Sequence, residues 1–375
     1  MELFDVYPLY DITPVRAKGL ELWDDRGQKY LDFYGGHAVI SIGHGHPHYI
    51  KRIKDQLDRI GFYSNSVQNP LQKELAQKLG TLSGCDDYRL FLCNSGAEAN
   101  ENALKLASFH NGRSRVIAFA NSFHGRTSAA VAVTDNPGIN APINRQQQVD
   151  FLPLNDFGAF ERAISTREHC AVILEPIQGV GGLDGPSGEF LAFIAEQCRR
   201  NGSLLIADEV QSGYGRSGSF FAFQHHGVRP DIISMAKGMG NGFPVGGILI
   251  HPDIRASHGL LGTTFGGNHL ACAAALAVLE VMEGEDLVLN ARTLGAYFRE
   301  RAKEIPSIEK VKGMGLMIGL EFDFEVAELR KKLIFGERMF TGNSKNKKLL
   351  RFLPALNITD QQIDLFFEAL KRATA

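Results

Sequence analysis

The amino-acid sequence predicts an α/β protein with two domains. The large domain is expected to contain a mostly parallel sheet between helices, and the small one to be α+β and built from both chain ends. Two observations support this. Short apolar runs alternate with helical stretches through the middle of the chain, whereas the ends combine a hairpin pattern with helices and a strand. Alternation of this kind is typical of a parallel sheet covered on both faces.

The predicted large domain contains five strands, each a continuous apolar run as expected of a strand buried on both faces. We expect strands at 89–93, 115–119, 171–174, 204–207 and 231–234, and helices at 98–109 and 189–201. Ligands of open α/β sheets bind beyond the carboxyl ends of the strands. The residues that follow each strand are therefore the first candidates for a functional site.

The two chain ends are predicted to form the small domain. Residues 20–33 have a hairpin pattern with its turn at 25–27. The C-terminal pattern predicts a helix, a strand and a closing helix, at 290–303, at 316–322 and from Gln361. We therefore expect an N-terminal part of the small domain, a large domain and a C-terminal part of the small domain, at 1–55, 56–280 and 281–375.

Composition restricts the partners that this protein is expected to bind. The chain has 375 residues, is 44% hydrophobic and carries a formal net charge of −2, so neither nucleic acid nor an anionic membrane is an expected partner. Its five cysteines have no C-x-x-C spacing, which argues against a disulfide framework or a zinc site. No secretory signal or membrane-spanning run is visible. We expect a soluble cytoplasmic protein that acts on small molecules.

Two of the predicted strands lead into residues that a core strand does not need. Asp208 follows the run 204–207, and Lys237 lies just beyond the run 231–234. Because both strands are expected to end at the same edge of the sheet, these side chains can meet across one ligand. Pyridoxal 5'-phosphate requires a lysine that forms a Schiff base and a carboxylate that keeps the pyridinium nitrogen protonated. The pair therefore predicts this cofactor, with Lys237 and Asp208 as catalytic residues.

Nucleotide-binding patterns in the same region are weaker. The apolar run that ends in Asp208 is also found in NTP-hydrolysing sites, but the chain has no Gly-Lys dipeptide and so no phosphate-binding loop of that class. Gly213, Gly215 and Gly218 match G-x-G-x-x-G, yet they lie some residues past the strand and have no βαβ unit with a distal acid. A nicotinamide or NTP site is therefore disfavoured.

Two further segments follow predicted strands. Ser95, Gly96 and Ala97 begin the helix after the strand 89–93, where free N–H groups favour a phosphate, although an ordinary strand–helix turn would look similar. After the strand 115–119, Phe123 could stack on a flat cofactor ring, and Arg126 could bind a substrate carboxylate. Taken singly, such a phenylalanine is more often a core residue and such an arginine a surface residue.

Three other residues are candidates for the substrate site. Glu175 ends a third strand, where its carboxylate could tune the site, cap the local backbone or pair with Arg126. Thr263 and Thr264 precede a Gly-Gly turn and could offer hydroxyls to a phosphate or a carboxylate, although a plain loop fits equally well.

A metal site is not expected. His44, His46 and His48 have a spacing that could suit metal ligands, but the intervening glycine and proline indicate a turn that leads into a helix. No acidic or cysteine partner lies nearby in the sequence to complete a ligand set.

Six segments together show an extensive resemblance to one enzyme family. They are residues 94–100, 121–127, 174–179, 208–211, 236–238 and 264–268. In order and spacing they resemble the class III (ornithine-type) pyridoxal-phosphate aminotransferases, and most of all the acetylornithine branch, across nearly the whole chain. The resemblance implies fold type I of the pyridoxal-phosphate enzymes and a homodimer with shared active sites.

The resemblance also implies a role for each residue around the cofactor. Lys237 would carry it and Asp208 would pair with the pyridinium nitrogen. Gln211 would hydrogen-bond the phenolic oxygen, and Phe123 would stack on the ring. The phosphate would be bound at the helix start by Ser95, Gly96 and Ala97.

For the substrates, the resemblance implies that Arg126, assisted by Thr263, binds the α-carboxylate of an N-acylornithine. Arg351 would receive the α-carboxylate of glutamate or 2-oxoglutarate, and Glu175 lies in the same substrate region. Thr264 would reach the phosphate of the neighbouring subunit. The implied reaction moves the δ-amino group of N2-acetyl-L-ornithine to 2-oxoglutarate, as in arginine biosynthesis.

One position departs from the family pattern. Ornithine aminotransferases and many acetylornithine enzymes have a glutamate where this chain has Val180, and that glutamate neutralises the second arginine while the amine donor is bound. Without it, Arg351 would be an unpaired cation or would need another acid. We therefore also consider N2-succinylornithine as the donor, and ornithine or 4-aminobutyrate as further alternatives. A pyridoxal-phosphate-binding protein without activity is the alternative from a different class.

Overall fold

The computed structural model describes residues 1–374, which form three sheets of four, seven and three strands. The strands are β1 Pro14–Lys18, β2 Glu21–Asp24, β3 Lys29–Asp32, β4 Arg89–Cys93, β5 Arg115–Phe119, β6 Val149–Leu152, β7 His169–Leu174, β8 Leu204–Asp208, β9 Ile232–Met235, β10 Gly246–Ile250, β11 Ile308–Met314, β12 Met317–Phe322, β13 Met339–Phe340 and β14 Leu349–Phe352. The α-helices are α1 Gly35–Ala38, α2 Pro47–Leu57, α3 Pro70–Ser83, α4 Gly96–Asn111, α5 Ser128–Ala132, α6 Phe157–Ile164, α7 Gly188–Asn201, α8 His269–Gly284, α9 Leu287–Ala302, α10 Ala327–Lys331 and α11 Asp360–Thr374.

The seven-stranded sheet has the order β4-β10-β9-β8-β7-β5-β6. Strands β6, β5, β7, β8 and β9 are parallel to one another, and β10 is antiparallel to both of its neighbours. All five strands predicted for this region are present, and the sheet is mostly parallel as expected.

Two strands of this sheet, β6 and β10, were not predicted. β6 lies at the edge and contains Asp150 and the exposed Phe151, so it lacks a continuous apolar run. β10 begins with Gly246 and Gly247, which are unfavourable in strands. A Cβ atom on Gly247 would lie 2.7 Å from the carbonyl oxygen of Phe91, so β10 can lie this close to β4 only without a side chain there.

Helices cover both faces of the sheet, and successive residues of its strands alternate between them. On β5, Val116 and Ala118 pack in a cluster with α4, whereas Ile117 and Phe119 pack in a cluster with α6 and α7. This two-sided burial explains why these strands have continuous apolar sequences.

Local signals fix the ends of the two predicted helices. The side-chain oxygen of Ser95 accepts a hydrogen bond from the N–H of Glu98 at the start of α4, and that of Ser187 does the same for Phe190 in α7. Both helices end at a glycine in the left-handed conformation, Gly112 or Gly202. The helices therefore begin within two residues of the predicted positions.

The two chain ends meet in space. Strand β13 pairs in parallel with β3, and the ring of Phe33 stacks on that of Phe352 with centroids 5.0 Å apart. The predicted N-terminal hairpin is present as β2 and β3, and the predicted C-terminal elements as α9, β12 and α11. The domain boundaries at 55 and 280 remain a prediction, since α2 crosses the first one and packs against α8.

Two further features concern the whole described chain. None of the helices within residues 1–374 has the length and apolar character needed to cross a membrane. The five cysteines are buried and free; they are Cys85, Cys93, Cys170, Cys198 and Cys272.

Candidate active site

The strand register brings the predicted residues to one edge of the large sheet. Ala207 of β8 pairs with Leu174 of β7, and Asp208 pairs with Ser234 of β9. The carboxyl ends of these strands are therefore level. A cavity of about 430 Å³ lies beyond them, and its lining includes Ser95, Gly96, Ala97, Phe123, Arg126, Glu175, Asp208, Gln211 and Lys237.

Asp208 is held rigidly at the end of β8. One carboxylate oxygen accepts a hydrogen bond from the side chain of Asn100 at 2.8 Å and contacts Nδ1 of His124 at 2.7 Å. The other accepts the N–H of Val210 at 3.0 Å. The side chain of Asp208 is only 4% exposed. These contacts fix the orientation of the carboxylate at the end of β8.

Lys237 lies just beyond β9 in a backbone conformation that is rare for residues other than glycine, with φ of 48°. Burial lowers the pKa of its ammonium group; Asp208 and Glu175 act in the opposite direction, and Arg351 lowers the pKa further. A lysine with a lowered pKa is more often neutral and nucleophilic, as covalent attachment of a carbonyl compound requires.

The start of α4, where the sequence predicts a phosphate site, has backbone N–H groups at the cavity. The first N–H groups of a helix have no partner within it. Ser95 satisfies those of Glu98 and Ala99, and those of Gly96 and Ala97 precede them at the cavity. A Cβ atom on Gly96 would lie 2.6 Å from the side chain of Val210, so this close approach requires glycine.

Glu175 takes one of the three roles considered for it. Its two carboxylate oxygens accept the N–H groups of Phe123 and Gly179, each at 2.9 Å, so it fixes the two loops that carry these residues. Among the described residues it forms no ion pair with Arg126, so that alternative is not what the structure contains. Burial, reinforced by Asp208, raises the pKa of Glu175 to about 7.

Arg351 of β14 is buried, with only 3% of its surface exposed, and its guanidinium is bound by neutral oxygens. It donates to the backbone carbonyls of Asn343 and Gly179, and to the hydroxyl of Tyr34 at 2.9 Å. The side-chain oxygen of Gln211 is 3.4 Å away. No carboxylate within residues 1–374 forms a salt bridge with Arg351, so no acid has the pairing role that the resemblance implies for a glutamate at the position of Val180.

A second cavity of about 870 Å³ adjoins the first and shares Phe123, Arg126, Val180, Gln211 and Lys237 with it. Its remaining lining is more polar and comes from both chain ends and the middle. It includes Tyr7, His37, Asn121, Asp135, Asn343, Lys345 and Arg351. The two cavities form one continuous site with a lysine and a carboxylate at one end and several cations at the other.

Thr263 and Thr264 do not line either cavity. The hydroxyl of Thr263 contacts the side chain of Asn94 at 3.3 Å and accepts the N–H of Gly266 at 3.0 Å, and Thr264 is exposed. Their expected roles remain predictions, because Thr263 and Thr264 would have to reach the cavity of a neighbouring subunit.

The histidines of the segment 44–48 each face an acid that is remote in sequence. His44, His46 and His48 contact Asp32, Glu285 and Glu280. Within residues 1–374, no group of three or more histidine, cysteine, aspartate or glutamate side chains is placed to hold a metal ion.

Comparison with known proteins identifies the family. The model of the family "Aminotransferase class-III" matches residues 6–374. This chain belongs to the class-III aminotransferases. The acetylornithine aminotransferase of Bacillus subtilis (strain 168) is 40% identical over 379 residues, covering 100% of this chain and 97% of the relative. That of Archaeoglobus fulgidus is 39% identical, covering 98% and 97%.

Solved structures agree with this family. The ornithine aminotransferase from Toxoplasma gondii ME49 superimposes with a TM-score of 0.89 at 29% identity, covering 98% of this chain and 91% of that one. An S-selective transaminase from Arthrobacter sp. has a TM-score of 0.90 at 25% identity, covering 100% and 95%. The fold is that of the pyridoxal-phosphate enzymes of fold type I, as predicted, and this class-III aminotransferase is a pyridoxal-phosphate-dependent transaminase.

The residues of this class-III aminotransferase fit its cofactor. Lys237 can form the Schiff base, Asp208 faces the same cavity with a fixed carboxylate, and the start of α4 offers two N–H groups to a phosphate. A Cβ atom on Gly179 would lie 1.9 Å from the side-chain oxygen of Gln211, so Gln211 holds its position only because residue 179 is glycine.

Sequence reasoning missed several residues of the site. Asn100 and His124 lie inside motifs that were recognised, but their bonds to Asp208 follow only from the fold. Tyr34 and His37 belong to the N-terminal region, and their side chains are 2.6 Å apart beside Arg351. Lys345 lies in the lysine-rich run 340–348, for which the sequence suggested no function. For His124, its place next to Phe123 was the available signal.

Proposed function

We propose that this class-III aminotransferase moves the δ-amino group of N2-acetyl-L-ornithine to 2-oxoglutarate, giving N-acetyl-L-glutamate 5-semialdehyde and L-glutamate. One observation carries the proposal: the cavity with Lys237 and Asp208 is continuous with a cavity lined by Arg126 and Arg351. Two arginines suit two carboxylate substrates that bind in turn. The relatives named acetylornithine aminotransferase support the choice of donor.

Within this proposal each residue has a distinct task. When bound, the cofactor supplies an electron sink for breaking the C–H bond beside the amine. Lys237 would hold the cofactor between turnovers and would move the proton from the substrate carbon as a general acid–base. Asp208, held by His124 and Asn100, would keep the proton on the ring nitrogen. Phe123 would stack on the ring, and Gln211 would bind its phenolic oxygen.

The substrate residues act in two half-reactions. Arg126 binds the α-carboxylate of the acylornithine, which places its δ-amine at Lys237. Arg351 then binds a carboxylate of 2-oxoglutarate in place of its neutral oxygen partners. Because both substrates use the same cavity in turn, we expect ping-pong kinetics.

We also propose that the enzyme is a homodimer with shared active sites. Exposed apolar side chains lie near the threonine pair, and the rings of Phe62 and Phe265 are 5.3 Å apart on the surface. A second chain at this face would bury them and could bring Thr264 to the neighbouring phosphate and Thr263 to Arg126. A cytoplasmic location is likewise proposed, since five buried free cysteines are typical of a reducing compartment.

N2-succinyl-L-ornithine is a second candidate donor. The structure favours it through Arg351, which has no salt bridge to a carboxylate within residues 1–374, and through the additional cation Lys345 in the same cavity. An acidic acyl group would add a negative charge where the cavity has an excess of positive charge.

A donor panel tests the function. The purified holoenzyme is mixed with N-acetylornithine, N-succinylornithine, ornithine or 4-aminobutyrate, without and then with 2-oxoglutarate. An acylornithine is expected to bleach the absorbance of the bound cofactor, and 2-oxoglutarate to restore it. The Lys237→Ala variant serves as the inactive control. A protein that only stores the cofactor would show no spectral change with any donor, and a stronger response to free ornithine would refute the choice of donor.

A further inference from the structure

The second cavity carries more positive than negative charge. Its lining contains Arg126, Lys237, Lys345 and Arg351, and its only carboxylate within residues 1–374 is that of Asp135. In the proposed reaction Lys237 is engaged with the cofactor, and one arginine binds each α-carboxylate. Lys345 is therefore a cation that the proposed acetylornithine reaction does not use.

The backbone of Lys345 is fixed beside Val180. Its N–H donates to the carbonyl oxygen of Val180 at 2.8 Å. Two residues earlier, the carbonyl of Asn343 accepts a hydrogen bond from Arg351. The segment that carries Lys345 is thus tied both to the second arginine and to the position where related enzymes have a carboxylate.

The side chain of Lys345 is held more weakly than its backbone. Its ammonium lies 3.4 Å from the carboxylate of Asp135, and the two side chains are 51% and 30% exposed. A long, half-exposed ion pair contributes little stability. The carboxylate of Asp135 has its own anchor, because it accepts the N–H of Asn121 at 2.7 Å. Lys345 can therefore turn from Asp135 to a ligand carboxylate at small cost.

We propose that Lys345 is a specificity-determining residue that binds the terminal carboxylate of an acidic acyl group, as in N2-succinyl-L-ornithine. The inference rests on the proposed acylornithine aminotransferase function and names the substrate class of the same site. In this arrangement Arg126 binds the α-carboxylate of the donor, and the acyl chain lies against residues 134–137 and 343–345 of the cavity lining. An acetyl group ends before it can use this cation, so the two donors differ at Lys345.

The test compares the two donors in matched variants of the holoenzyme. The value of kcat/KM is measured for N-succinylornithine and for N-acetylornithine at saturating 2-oxoglutarate. Lys345→Gln removes the charge at the cavity, and Lys347→Gln removes the same charge from a neighbour that does not line the cavity and lies 3.6 Å from Glu325. Asp135→Asn removes the competing carboxylate but keeps an oxygen that can accept the N–H of Asn121.

The wild-type enzyme is expected to use both donors. Lys345→Gln should lower the ratio of succinyl to acetyl kcat/KM about tenfold. Lys347→Gln should leave the ratio unchanged, and Asp135→Asn should raise it about two- to threefold because the ammonium loses its charged partner and keeps only neutral oxygens nearby.

Two results would overturn the role of Lys345. One is an unchanged ratio in Lys345→Gln, and the other is an equal loss with both donors, which would indicate a general structural effect. If the wild-type enzyme uses neither acylornithine, the proposed function itself fails, and this outcome is distinct from both.

Discussion

The two ends of the active site hold their charges in opposite ways. At the cofactor end, Asp208 has hydrogen-bond partners on both oxygens, and its backbone continues a central strand. At the substrate end, Arg351 is equally buried but is bound only by carbonyl, amide and hydroxyl oxygens. One end fixes a charge that is never exchanged, whereas the other keeps a charge available for ligands that alternate.

This difference has a physical reason. A buried charge needs partners that compensate for lost water. At the cofactor end these partners can be fixed, because the cofactor stays bound throughout the reaction. Neutral oxygens offset only part of the free-energy cost of burying a guanidinium. An incoming carboxylate can therefore bind the guanidinium without first breaking an ion pair. Without a carboxylate at Val180, Arg351 has no ion pair that 2-oxoglutarate would have to break.

The largest expected effect concerns the fixed end. Asp208→Asn keeps the size of the side chain but removes the charge and places an amide among donors. We expect kcat to fall about 10²–10³-fold with both substrates, because the variant lacks the negative charge that would stabilise the protonated ring nitrogen of the cofactor. His124→Gln removes only one partner of Asp208. Its fall in kcat should be about tenfold smaller than that of Asp208→Asn. Cofactor content, measured by absorbance, separates loss of binding from loss of turnover. Equal losses in the two variants would contradict the positioning role of His124.

At the exchangeable end, Arg351→Ala should act on binding more than on turnover. We expect KM for 2-oxoglutarate to rise about 30-fold or more, since a buried charged contact is lost. The half-reaction with the amine donor, followed by stopped-flow absorbance, should change far less. A donor half-reaction that is as impaired as the acceptor half-reaction would show that the two ends are not independent.

A smaller change would make the substrate end resemble the fixed end. Val180→Glu introduces a carboxylate beside Arg351, which 2-oxoglutarate must then displace. We expect KM for 2-oxoglutarate to rise about tenfold, while Val180→Gln, with nearly the same shape and no charge, should have a smaller effect. An equal effect of the two variants would indicate a steric cause.

The smallest expected effect is a pH dependence. Burial raises the pKa values of Glu175 and Glu209 to about 7 from an ordinary value of 4.5. A carboxyl whose pKa is higher in the folded protein stabilises the fold below the unfolded pKa, and this stability is lost as pH rises through the folded pKa. The Tm of the holoenzyme should thus decrease as the pH rises from about 5 to about 8. The decrease should be smaller in Glu175→Gln and in Glu209→Gln.

These two acids also serve as each other's control. Glu175 lines the cavity and acts on Arg351, whereas Glu209 is absent from its lining. Ionised Glu175 should weaken the attraction between Arg351 and 2-oxoglutarate, so KM should rise above about pH 7 in the wild type and in Glu209→Gln. In Glu175→Gln this rise should be absent. A rise that persists in Glu175→Gln would assign it to another group.

The amino-acid sequence alone predicts most of the large sheet and the identity of the cofactor. Continuous apolar runs located β4, β5, β7, β8 and β9, because strands buried on both faces consist mainly of apolar residues. Asp208 and Lys237 could be paired from sequence because parallel strands end at the same edge. Strands β6 and β10 were missed since an edge position and a glycine pair remove the apolar signal.

The groups that surround the buried charges follow from the packing of the folded chain and have no counterpart in a local sequence pattern. Asn100 and His124 contact Asp208 from separate elements. Tyr34 and Arg351 are hydrogen-bonded although they are 317 residues apart in the sequence. Lys345 belongs to a run without any local pattern, and its place in the cavity depends on the pairing of its backbone with Val180. Contacts of this kind depend on how distant segments pack, and packing has no periodicity that a local sequence pattern could carry.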